Sequence, residues 1–330
     1  MRAGLLIALT FVFVSAMGCG AATAPSPSPP PRPVLAPLPL LVPAGAKTIL
    51  DLRPSELLVS TATQRLVAAL TADAALEFFT RRTGIDPRRV TEAVFAEYDD
   101  GALILVRGPF DAEFVAQETG ARMATVESSE NAPFVRRAGF IGNDRVEVVA
   151  LEPDVLLVGT QLSTAVGELV GCLRYRDDNH CSDSALALGS ARRLYEDHKR
   201  EQFVLYVPGG LDLPPGLGAS SLLSGTTAMA LVLTPIGSEA IVVDVDLRGT
   251  FPEGADENFR TLVTNVGMTE LGAALGIDAA AERLSVQQSP GSVAIRGALP
   301  LTTLIVGLRA LFVADIYELL NGSPRSPESH

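Results

Sequence analysis

The chain has no tryptophan, three cysteines, three histidines and only two lysines, Lys47 and Lys199. These scarcities exclude several chemistries. No H-E-x-x-H helix is present, and no second Cys or His cluster exists to complete a tetrahedral metal site. There is no P-loop lysine and no G-x-S-x-G elbow. No cofactor and no metal are expected. Positive charge is also short: 26 Lys and Arg against 38 Asp and Glu leave a formal charge of −12. An acidic surface repels phosphate backbones, so nucleic acid is not an expected partner. Long apolar runs are missing as well. The run from Leu5 to Val14 is about half of the ~20 residues that a membrane-spanning helix needs.

What the N-terminus does contain is Arg2, that short apolar run, and small residues leading to Cys19. This is the pattern of a secretory signal peptide over 1–18. Ala16, Met17, Gly18 and Cys19 resemble the lipobox of bacterial lipoproteins, with Met17 departing from the pattern. The resemblance implies that Cys19 is diacylglycerylated with palmitate-type chains and becomes the first residue of the mature protein. Ordinary signal-peptidase cleavage at the same bond is the alternative, because Ala-Met-Gly also satisfies the small-x-small rule. Each buried methylene adds about 0.8 kcal/mol, so two or more acyl chains anchor stably. The expected location is therefore outside the cytoplasm, on a bacterial membrane, with the outer membrane favoured. The membrane is then a partner through lipid, and an envelope protein is a further candidate.

Residues 19–45 read as the anchor cysteine and a proline-rich tether, which prefers extended polyproline II at about 3.1 Å per residue. About 20 such residues would reach roughly 60 Å. With Cys19 acylated, Cys172 and Cys181 remain as a pair around "GCLRYRDDNHC". A disulfide is expected there in an oxidising compartment; the rival is a metal site built from Asp177, Asp178 and His180 as well.

The body, about 46–320, reads as α+β with a frayed tail at 321–330. Apolar spacing predicts a helix over Thr61–Thr83, with Leu66, Val67, Leu70, Ala74 and Phe78 on its stripe. A hairpin of Val90–Glu97 with Ala102–Arg107 turns on Asp-Gly. A short helix near Asp111–Thr119 and three strands between Pro133 and Thr160 follow, then a helix to Gly171. The second half repeats the plan. A helix near Asp183–Arg200 and the strand Phe203–Val207 precede a hairpin, Ala228–Thr234 with Ala240–Arg248. A helix over Glu253–Leu275 leads to a hairpin over Leu284–Arg296, and a last helix spans Leu301–Leu320.

Arg107-Gly108, Arg248-Gly249 and Arg296-Gly297 each close a strand before a helix, and Gly84-Ile85-Asp86 matches Gly276-Ile277-Asp278. These echoes predict duplicated helix–hairpin–helix modules, at 46–182 and 183–320, with mainly antiparallel sheets and helices on one face. "EPDVLLVGTQLSTAV" (152–166) and "RRLYEDHKREQFVLYV" (192–207), with the strand–Arg-Gly–helix units, resemble secreted bacterial domains of unknown function. That resemblance implies a repeated two-layer α+β fold outside the cytoplasm.

Candidate sites are few. The Arg-Gly corners present helix N-termini to an anion, with Asp111, Glu113 and Glu253 as compensating acids, although a glycine corner explains them equally. Asp244, Asp246 and Arg248 share one strand face, which reads as solvated. Asp315 falls on the apolar stripe of the last helix, His198 on a charged helix face, and His330 in the tail. The loop bearing Gly216, Gly218, Ser220 and Ser221 is a possible ligand loop. The expected role is binding or scaffolding in the cell envelope. A carrier or sensor of a small hydrophobic ligand is the alternative, and a serine hydrolase using that loop is third.

Overall fold

The computed structural model describes residues 35–70, 73–128, 134–175, 184–210, 223–278 and 284–308. The chain divides into two compact units. The first takes the described residues up to Ser55 and Leu76–Arg192; the second takes Glu56–Ala75 and everything after Arg192. The boundary therefore falls ten residues later than the sequence suggests, and an early helix joins the later unit.

In the first unit the strands are β1 (Thr48–Leu52), β2 (Glu92–Glu97), β3 (Ala102–Arg107), β4 (Ala124–Ser128), β5 (Val135–Ile141), β6 (Asp144–Glu152) and β7 (Val155–Thr160). They lie in the order β1-β2-β3-β7-β6-β5-β4, every pair antiparallel. The β2–β3 hairpin turns on Tyr98–Gly101, where the Tyr98 N–H donates to the Gly101 carbonyl at 2.9 Å. Its helices are α2 (Asp73–Thr83), α3 (Ala112–Gly120) and α4 (Ser163–Tyr175). The helix expected over Thr61–Thr83 is described on either side of residues 71–72, as α1 (Thr61–Leu70) and α2.

One face of this sheet carries Ala93, Val146, Val148, Ala150 and Leu156, packed under Ala112, Val115 and Ala116 of α3 and under Phe79 of α2. Asp111 starts α3 by accepting from the Phe114 N–H at 3.0 Å, which satisfies one of the helix's orphan donors. The opposite face presents cross-strand rows of buried residues. One row reads Asp51, Val94, Leu105, Leu157, Val149. Burying a few such side chains supplies about 1.5–3 kcal/mol each, and this row is four-fifths apolar.

The second unit holds α1, part of α5 (Gly189–His198), β8 (Phe203–Val207), β9 (Thr226–Ile236), β10 (Ala240–Gly249), α6 (Ala255–Gly267), α7 (Glu270–Leu275), β11 (Ser285–Ser289) and β12 (Ser292–Pro300). A helix begins at Leu301, of which 301–308 are described. The strand order is β8-β9-β10-β12-β11, again antiparallel throughout. Phe259 of α6 packs with Leu247, Val286 and Val293 on one face. Ala62 and Leu66 of α1 cover Ile241 together with Leu301.

Each unit thus runs a three-strand meander, crosses by helix, and returns a strand against the third: β7 against β3, and β12 against β10. Two of the Arg-Gly signatures sit at this point, ending β3 and β10. The third does not. Arg296-Gly297 lies inside β12, because β10 is long enough to pair with β12 as far as Pro300. The helix expected over Glu253–Leu275 also breaks, since Thr269 caps a new helix by accepting from the Gly272 N–H at 3.0 Å. Gly84 and Gly276 do behave alike: both close a helix with φ near +75° (74° and 79°), a left-handed conformation that favours glycine.

Candidate functional site

The site built most fully by the first unit is the dock of its N-terminal arm, residues 35–43. The tether expected to run to Gly45 ends earlier, because Leu38 and Val42 are completely buried. Pro37 stops extended chain and Leu38–Leu41 form a 3-10 turn against β2. Four polar contacts hold the arm. The Leu35 N–H donates to Glu152 Oε1 at 3.3 Å. The Leu38 N–H donates to the Glu92 carboxylate. The Val42 carbonyl accepts from the Ala185 N–H at 2.9 Å, beside a β-bridge between Pro43 and Ser184. The Pro43 carbonyl accepts from the Tyr98 hydroxyl at 2.9 Å. Burial, then Glu168, raises the Tyr98 hydroxyl above its ordinary range, so it stays a donor.

Glu92 belongs to a second cross-strand row, Glu92, Arg107, Val155, Glu152. The arm therefore follows that row, from Glu152 to Glu92. Arg107 Nη1 pairs with Glu92 at 2.8 Å. Arg107 is thus held by a strand neighbour, which favours the glycine-corner reading over an anion site. Asp51, in the adjacent row, is 3% exposed, and its Oδ1 has no hydrogen-bond partner among the described residues. Burial raises it from 3.8 to about 7, Glu92 adding and Arg53 opposing. Glu92 is raised too, by burial against the pull of Arg107. Nothing in the sequence marks Asp51 beyond an acid in an alternating strand.

Glu147 is the other buried acid of this face. It is 1% exposed, and Arg136 reaches its Oε2 through Nη2 at 2.6 Å and Nε at 3.1 Å. Such a two-pronged guanidinium pair offsets the cost of burying the charge.

In the second unit, α5 covers the face expected to be solvated. Asp246 and Arg248 have side chains 16% and 25% exposed. Arg248 Nη2 pairs with Asp246 at 2.8 Å and with Asp197 of α5 at 2.9 Å. His198 Nε2 stands 3.5 Å from Asp246 Oδ2. The row Tyr206, Ala230, Asp246 explains the fit: the small Ala230 lies between Tyr206, whose ring meets Tyr195 of α5 at 6.3 Å, and the ion network. Asp244 remains nearer solvent with Arg296 at 3.4 Å. The constellation fastens a helix to a sheet.

The remaining candidates scatter. Cys172 is half-buried on α4, while Cys181, Asp177, Asp178 and His180 lie outside the described residues. Cys19, Gly216, Gly218, Ser220, Ser221, Asp315 and His330 also lie outside them. Glu253 precedes α6, whose start is set by Gly254. Among the described residues no group of three His, Cys, Asp or Glu is placed to hold a metal ion, and no helix is long and apolar enough to cross a membrane.

No protein-family model matches the chain, and neither does any curated protein sequence. Two solved structures resemble it. Crystal form III of TP0453 matches with a TM-score of 0.50 and 13% identity, over 84% of this chain and 99% of that one. Crystal form IV of the same protein gives 0.49 and 14%, over 82% and 96%. At such identity the likeness is one of fold alone.

Proposed function

We propose that this is an exported protein, anchored through acylated Cys19 to a bacterial membrane, where it binds or scaffolds other envelope components rather than catalysing a reaction. The observation that carries the reading is the continuity between anchor and body. A cysteine that ends a signal-peptide pattern is joined by a proline-rich leash to an arm buried in the first unit. Such an arm transmits the position of the anchor to a folded surface.

The space enclosed beneath the arm favours a scaffold over a carrier there. The cavity beneath the arm, lined by Leu41, Val42, Leu169, Cys172 and Leu173, holds about 60 Å³. Ligand pockets for drug-sized molecules hold roughly 300–1,000 Å³. Cys172 pairs with Cys181 in this reading, closing a loop worth about 2.5–3 kcal/mol on the chain-entropy model. The strand plan common to both units, with Arg-Gly at each crossover, is read as the trace of a duplicated module.

The test is the mass and partitioning of the mature chain. Acylated Cys19 at the N-terminus and partition into the detergent phase are expected, and Cys19→Ser should move the chain to the aqueous phase. An unmodified N-terminal mass on the wild-type chain overturns the reading. Pull-down of the intact lipoprotein from native membranes is expected to retain a protein partner.

A further inference from the structure

The first unit carries a groove that the arm's dock does not use. It holds about 550 Å³ and is lined by Pro109, Phe110, Asp111, Glu113 and Pro153. Its walls are tied together, because the Gly108 N–H donates to the Asp154 carbonyl at 3.0 Å and the Ala112 N–H to the Pro153 carbonyl at 2.8 Å. One side is apolar and ringed, and the other is acidic. Phe114, one helical turn beyond Asp111, is 54% exposed.

We propose that this groove is the docking site of the chain's own proline-rich leash, with Arg32 over Asp111 and Glu113 and the neighbouring prolines against Phe110, Pro109 and Pro153. Three observations choose that occupant. The first is where the arm ends: the Leu35 N–H is held by Glu152, the residue next to Pro153. The second is reach. Arg32 precedes Leu35 by three residues, and three extended residues span about 10 Å, enough to round the β6–β7 turn. The third is charge. Arg32 is the sole basic residue between Arg2 and Lys47, and it sits within "PPPRPV" (29–34), opposite a groove with two acids. A proline-rich segment loses little entropy on seating against ringed side chains, since its extended helix is already formed.

The consequence reaches the anchor. With 29–34 seated, the free leash is 20–28, which spans about 28 Å rather than roughly 60 Å. The body would then stand close to its membrane.

The experiment replaces Phe114 with p-benzoyl-phenylalanine in the full chain, at a dilution that suppresses encounters between molecules. After irradiation the crosslinked peptides are mapped by mass spectrometry. The expected product joins position 114 to residues 25–34 of the same molecule. Arg32→Glu should lower its yield about threefold, the size expected of a surface ion pair, and Glu113→Arg in the same chain should restore it. Crosslinks that fall elsewhere in the chain, that join two molecules, or that persist undiminished in Arg32→Glu overturn the proposal. Reading the acylated chain and its Cys19→Ser form side by side separates a failed dock from a failed anchor.

Discussion

Asp51 is the residue on which a pH dependence turns. Four neighbours in its row are apolar, and the carboxyl is raised from 3.8 to about 7 chiefly by burial. Across pH 4 to 7 the folded chain therefore keeps a proton that the unfolded chain has released. The stability linked to this proton is full below about pH 4, falls as pH rises, and is flat above about 7. The loss amounts to as much as about 4 kcal/mol over the interval. Glu92, raised as well, adds loss of the same sign. Asp51→Asn should abolish most of that slope, making the variant the more stable of the two at pH 7.5 by urea unfolding. Equal slopes in the two proteins would show that the carboxyl is hydrated. Its companion Glu147 is met instead by the Arg136 guanidinium. The sequence shows both as acids in strands, and only the placement of Arg136 across β5–β6 separates them.

At the scale of the element, the arm and the covered face of β10 carry the lesson. Leu38 is completely buried although it follows nine consecutive residues rich in proline. Leu38→Ala should cost about 2–5 kcal/mol, as for other large-to-small core substitutions. It should also raise amide exchange across residues 38–42, read by mass spectrometry; a change confined to the second unit would contradict the dock. Hairpins and helix-ending glycines were legible because their signals are local: Asp-Gly between alternating runs, Gly84 and Gly276 after a helix. The face bearing Asp246 and Arg248 was misread as solvated. An alternating strand reports which side chains share a side, and α5 decided that this side would be covered.

For the whole molecule, the proposed anchor stands against the charge. Cleavage before Cys19, as proposed, would remove only Arg2 of the charged residues, so the formal charge would pass from −12 to −13. Anionic bilayers repel such a chain, and on the proposed reading its association with them comes from acylation. The Cys19→Ser form should therefore remain unbound in flotation with vesicles containing anionic lipid at physiological salt, while the acylated form floats. Binding of the unacylated form would place the membrane contact on the folded body.

Composition, the leader pattern and the local spacing of apolar residues determined by themselves the class of this protein: α+β, acidic, with a signal-peptide pattern ending at Cys19. These properties depend on neighbours in the chain or on sums over it. Tertiary structure alone decided the strand order in each unit, the burial of Asp51 and Glu147, the cover over Asp246, and the arm's path from Glu152 to Glu92. Those depend on residues far apart in sequence meeting at one place, where the cost of removing a charge from water is settled by whichever partner the fold brings.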